Sequence, residues 1–164
     1  MTKIVNVACP VSKEAQVNRD QIEHRATWMG LIYDEMVKAG VENAEEIVRK
    51  AISRTGLVHG GRDLEACGES WDLLDFKKVF LSDYGMETFG MEVEADADKV
   101  AVHFHYCPLC AAWQKLGFDD ERCALLCDMA MDGDRGIAKA MGLEIELTDK
   151  IADGCETCEV CFHR

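Results

Sequence analysis

Two histidines and two cysteines stand close together in "HFHYCPLC", His103 to Cys110, where an alternating segment turns into a Cys-Pro-Leu-Cys. Cys107 sits where a strand would end and a helix begin. Unpaired amides at a helix start favour a thiolate, so that position predicts a nucleophile or a metal ligand. His103 and His105 lie four and two residues upstream on one face of the same strand, and either is placed to move a proton or hold a metal. Cys107 and Cys110 also form a CxxC, but a dithiol redox centre of the thioredoxin kind belongs in a parallel βαβ unit, and the preceding segments read as an antiparallel hairpin.

Further donors crowd the last sixty residues. Cys123 and Cys127 are four apart on a predicted helix and share a face, as do Asp128 and Asp132, with Arg135 three residues beyond Asp132. An acid beside an arginine reads as an exposed ion pair, which is the reading for Asp128. For Asp132, the glycines on its C-terminal side leave room for a substrate, and it is a candidate to orient water or an amine. The tail "GCETCEVCFHR" carries Cys155, Cys158 and Cys161. If residues 157–163 are extended, Cys158 and Cys161 face opposite ways and cannot grip one ion. A four-thiolate site would instead combine one or both of Cys155 and Cys158 with Cys107, Cys110, Cys123 or Cys127 from the facing helices, and such a set suits zinc or an iron-sulfur cluster. These cysteines are expected to line one pocket at the sheet edge. "GLVHGGRD" around His59 lacks the lysine and spacing of a phosphate loop and reads as a flexible lid.

The elements that must position these residues follow from periodicity. Apolar residues at helical spacing predict an amphipathic helix over 21–39, stopped by Gly40. Asn43 with Glu46 three residues on predicts a capped second helix ending at Gly56, so the two form a hairpin. A loop then leads to a third helical stretch over 71–81. "METFGMEVE" and "KVAVHFH" alternate around the turn "ADAD" and predict a β-hairpin. Pro108 suits the first turn of a short helix over 107–116, closed by Gly117. Asp119 or Asp120 caps a longer helix reaching Met141, weakened by Gly133 and Gly136. "LEIELTD" and "CEVCFHR" close the chain as two more strands. The expected fold is α+β: an N-terminal helical hairpin plus a four-stranded antiparallel sheet interrupted by two helices.

The 164 residues fit a single domain, 1–164, with two prolines and no linker or repeat. Lysine and arginine total 18 against 31 acids, a net charge of −13. That balance disfavours nucleic acid and anionic membrane as partners and leaves a small-molecule substrate. With no spanning stretch and no signal peptide in view, a cytoplasmic setting is expected, where nine cysteines stay reduced. Oligomeric state is not legible.

Taken together, "LIYDEMVKAGVENAEEIVRKAISRTG", "YCPLCAAWQKLG", "LLCDMAMDGDRGIAKAMGLEIELTDKIADG" and the closing "CEVCFHR" resemble the L-2-amino-thiazoline-4-carboxylic acid hydrolase family. The resemblance carries over to Cys107, Cys127, an acid at Asp128 or Asp132, Gly154 and Cys158. It implies a hydrolase opening a C–N bond in a small cyclic or amide-like substrate, with Cys107 as nucleophile or ligand, His103 or His105 moving protons and Asp132 orienting water. A looser resemblance, to 4-vinyl-reductase-type ligand-binding domains, implies a binding or sensing module. The crowded cysteines support a further alternative, a cysteine-ligated zinc or iron-sulfur protein.

Overall fold

The computed structural model describes residues 2–164. Its architecture is α+β, with helices α1 (Lys13–Lys38), α2 (Ala44–Ala66), α3 (Leu73–Phe80) and α4 (Asp83–Phe89) preceding the hairpin of β1 (Met91–Ala95) and β2 (Lys99–Phe104). Then come α5 (Pro108–Lys115), α6 (Asp120–Ala130), α7 (Asp132–Ala140), β3 (Glu144–Leu147), a single 3-10 turn at Ile151–Asp153, and β4 (Cys158–His163). The sheet is antiparallel throughout, in the order β1-β2-β4-β3, so the last strand enters between the hairpin and β3.

Several local signals act as the sequence dictates. Asp96 accepts the N–H groups of Asp98 (2.8 Å) and Lys99 (3.0 Å), which closes the β1–β2 turn. Asp119 caps α6 by accepting the Arg122 N–H at 2.8 Å. Gly117, at φ +77°, ends α5 in the left-handed region that glycine enters without strain. Val100, Val102, Val160 and Phe162 line the inner sheet face and bury themselves against Leu73 and Phe76 of α3, Ala138 of α7 and Met141 at the C-cap of α7.

Other expectations are corrected. Asn43 precedes α2 but makes no side-chain cap bond. The glycine-rich stretch around His59 is not a lid: α2 runs unbroken through Gly56, Gly60 and Gly61 to Ala66. Residues 86–89 are the end of α4 rather than strand, because Ser82 caps that helix at the Gly85 N–H (3.2 Å) and Gly90 terminates it at φ +59°. The long helix expected up to Met141 is two, α6 and α7, meeting at Met131.

The glycines that weaken helices in isolation have a packing purpose. Cβ atoms on Gly56 and Gly136 would stand 2.0 Å from the Gly133 carbonyl oxygen and 2.6 Å from the Ser53 carbonyl oxygen. One on Gly60 would stand 2.7 Å from the Ala140 Cβ. Thus α2 and α7 cross nearly backbone to backbone, and α2 packs chiefly on α7. Meanwhile α1 packs on α5 and α4, with Gly30 against Trp113 and Arg19, only 3 % exposed, donating to the carbonyls of Thr88 (2.8 Å) and Cys9 (2.7 Å). The two helices of the N-terminal hairpin therefore belong to different partners.

The crossing sets a paired expectation for thermal denaturation. Gly56→Ala should destabilise by about 1–3 kcal/mol, since backbone must move to admit the methyl group. Gly61→Ala, on the open face of the same helix with nothing within 4 Å, should instead stabilise by about 0.5–1 kcal/mol.

Candidate functional site

Between α1 and α2 lies a cavity of about 470 Å³ that reaches from the helices to the inner sheet face. Its walls are mostly apolar. Cys107, Cys127 and Cys158 open into it, and its charged lining residues are Arg25 of α1 and Asp134 of α7, with His59 of α2 at an exposed position.

Each thiol arrives by a different route. Cys107 is the N-cap of α5, as its place before Pro108 suggests, and its sulfur accepts the Cys110 N–H at 3.5 Å. Cys127 points from α6 and is buried. Cys158 is the first residue of β4, opposite Phe104, and its sulfur accepts the Ile151 N–H from the 3-10 turn at 3.2 Å. The thiolate expected of Cys107 is not what this setting favours. Burial pushes its thiol up to about 12, the neighbouring Cys158 adds to that, and the backbone N–H groups of Cys110 and Leu109 only partly offset it. Burial raises Cys127 and Cys158 as well.

An extended N-terminal segment fixes Cys107 from the other side. Asn6 accepts the Cys107 N–H through Oδ1 and donates from Nδ2 to the Cys107 carbonyl, both at 2.9 Å. This amide pairs with the Cys107 peptide as a neighbouring strand would. The segment is itself tied down by Lys3, whose N–H donates to Asp120 at 2.7 Å, and by the buried Ile4.

Other candidates lie elsewhere. His103 and His105 are on the outer sheet face, opposite Phe104, which lines the cavity; His105 Nε2 is 3.5 Å from Glu92. Cys110 turns into the core, where a hydrogen bond to Cys123 and burial raise its pKa, so the CxxC does not present two thiols together. Cys155 is at the turn before β4, 4.0 Å from Asp149. Cys161 faces away from Cys158, as alternation requires. Among the described residues no three or more histidine, cysteine, aspartate and glutamate side chains are grouped so as to hold a metal ion; Cys107, Cys127 and Cys158 share the cavity, and Cys110 and Cys155 do not line it.

Asp132 is engaged outside the cavity. Arg49 of α2 bonds Asp128 at 2.7 Å and Asp132 at 3.2 Å, and Arg135 bonds both acids as well. Burial works against ionisation of Asp128, but the bonds from Arg49 and Arg135 hold it below the usual carboxylate range. The acid that does face the cavity is Asp134, two residues on, which sequence reasoning passed over. The usable signal was its helical offset: one face of α7 carries Asp132 and Arg135 to α2, so Asp134 must point elsewhere. Burial raises Asp134 to about 6, against the opposing charges of Arg25 and Arg135.

With this geometry the chain is an α+β protein that encloses a thiol-lined cavity beneath a helical hairpin. The family model for L-2-amino-thiazoline-4-carboxylic acid hydrolase matches residues 19–162, and the chain belongs to that family. It is hydrolase-like, and the family's activity implies a small-molecule substrate. No curated protein matches it. The fold is similar to the crystal structure of a trafficking protein particle complex subunit 3 from Naegleria fowleri covalently bound to palmitic acid. That match has a TM-score of 0.53 at 12 % identity, covering 85 % of this chain and 94 % of the other. Among the described residues no helix is long and apolar enough to cross a membrane.

Two outcomes follow for the site. Asn6→Ala should cost about 1–2 kcal/mol in denaturant unfolding by leaving the Cys107 peptide unpaired, and should speed alkylation of Cys107 by iodoacetamide several-fold, read by mass spectrometry. Asp134 has a folded pKa above its unfolded value of 3.8, so its contribution to stability is greatest below that value and is lost as pH rises through about 6. Asp134→Asn should accordingly raise the melting temperature at pH 8 and do so by less at pH 4.

Proposed function

We propose that this chain hydrolyses a C–N bond in a small cyclic or amide-like substrate bound in the cavity. The observation that carries the reading is the meeting, in one mostly apolar cavity, of the Cys107 thiol with a carboxyl and a guanidinium on facing helices. Family membership supports hydrolysis; the bond and the residues are our reading.

A thiol raised by burial is neutral at pH 7 and needs a base to react. Asp134, with a pKa near neutrality, is suited to that task, since a general base works best when its pKa lies close to the operating pH. The sulfur adds to the carbon of a C=O or C=N group while its proton passes to Asp134. The C–N bond then breaks as Asp134 returns that proton to the leaving nitrogen. Water, giving its proton to Asp134, attacks the sulfur-bound carbon; the carbon–sulfur bond breaks and Asp134 passes that proton to the departing sulfur, which restores both the thiol and the carboxylate. Arg25 stabilises the negative charge that develops on the substrate, and the apolar walls strengthen that interaction by excluding water. His103 and His105 take no part, because the sheet separates them from the cavity.

The test is ring-opening of thiazoline-like substrates by the purified protein. Cys107→Ala should lower kcat by about 10³-fold or more, and Asp134→Asn by about 10²–10⁴-fold. In the unmodified protein kcat/KM should fall as pH drops below about 6, where Asp134 becomes protonated, and the Asn variant should lack that limb. Full activity of Cys107→Ala would rule out the thiol as nucleophile.

A further inference from the structure

Arg25 and Asp134 look into the same cavity but do not satisfy one another. Among the described residues the pair forms no hydrogen bond or ion pair; each acts on the other only through space. Arg25 stands at an exposed position on the cavity's edge, where its guanidinium makes no hydrogen bond or ion pair among the described residues and can meet an incoming anion. A half-buried carboxyl likewise calls for a donor. The gap between them is thus shaped for a ligand group that brings an anion to Arg25 and an N–H to Asp134.

The remainder of the cavity asks for something else. It lies along the seam between two hydrophobic clusters. Met29, Leu109 and the three thiols belong to one; Phe80, Leu81, Met91 and Phe104 belong to the other. Only the first end carries charge. About 470 Å³ is room for roughly fifteen waters at about 30 Å³ each, yet an apolar wall of this kind is poorly suited to holding them. A lone five-membered ring bearing a carboxylate leaves the aromatic end unfilled.

Building on the catalytic reading above, we propose that the substrate is an amphiphile. Its carboxylate pairs with Arg25, its amide or cyclic amidine lies beside Asp134 and Cys107, and an extended alkyl or aryl substituent reaches Phe80 and Phe104. Arg25 selects the anion, and the seam between the two clusters selects the tail.

Binding tests this without turnover. Straight-chain carboxylates from acetate to decanoate, with alcohols and alkylammonium ions of equal length, are titrated into the full chain by calorimetry. Affinity for the carboxylates should rise about three- to fourfold per methylene and level off once the tail fills the cavity. Each carboxylate should bind at least about tenfold tighter than the matching alcohol, with the ammonium weakest. Arg25→Met, which replaces an exposed side chain that makes no hydrogen bond or ion pair among the described residues, should erase the preference for carboxylate and keep the chain-length slope. A flat chain-length series, equal binding of carboxylate and alcohol, or an Arg25→Met protein that keeps the preference would each overturn the proposal. Steep chain-length binding without hydrolysis of any amide or cyclic amidine would overturn the catalytic reading alone. Hydrolysis of short substrates beside a flat series would overturn the amphiphile alone.

Discussion

The close crossing of α2 and α7 is the constraint on which the rest of the structure hangs. Gly56 and Gly60 meet Gly133, Gly136 and Ala140 with no space for a side chain, which draws α2 toward the C-terminal half of the fold. α1 is held by α5 and α4 instead, through Gly30, Trp113 and the buried Arg19. A helical hairpin whose arms are pulled to separate partners must leave a wedge between them, and that wedge is the cavity. The same crossing sets the rotation of α7, which sends Asp132 to Arg49 and turns Asp134 inward.

The cavity's chemistry depends on burial overriding local electrostatics. A cysteine at a helix start, sulfur against a backbone N–H, has the local arrangement of a lowered pKa. Enclosure among apolar side chains and beside two other thiols reverses that for Cys107 and, by the same physics, lifts Asp134 toward neutrality. In the catalytic reading proposed above, the thiol is the reluctant partner and the carboxyl, with a pKa of about 6, the one suited to take its proton.

Much of the fold was legible in the sequence because its signals were local. Pro108 after Cys107, the Asp119 cap, the "ADAD" turn and the alternation of the closing strands each specify an element without help from elsewhere. Glycines misled in α2 because their meaning there is tertiary: in isolation they break helices, and against another helix they permit contact. The site was legible in part. Strand and helix placement brought Cys107, Cys127 and Cys158 together as expected, whereas His103 and His105 were placed by proximity in sequence on a strand whose other face holds the cavity. Asp134 escaped notice because its orientation follows from the α2–α7 crossing.

The segment matched by the family model begins at residue 19, while the clamp on Cys107 comes from Asn6. The strap that seats this sulfur thus lies outside the matched segment, although buried Ile4 and the Ser12 cap of α1 tie it to the core. A change confined to the Asn6 side chain would act on Cys107 from beyond the matched stretch, which makes the strap a point of adjustment anchored in the frame it adjusts.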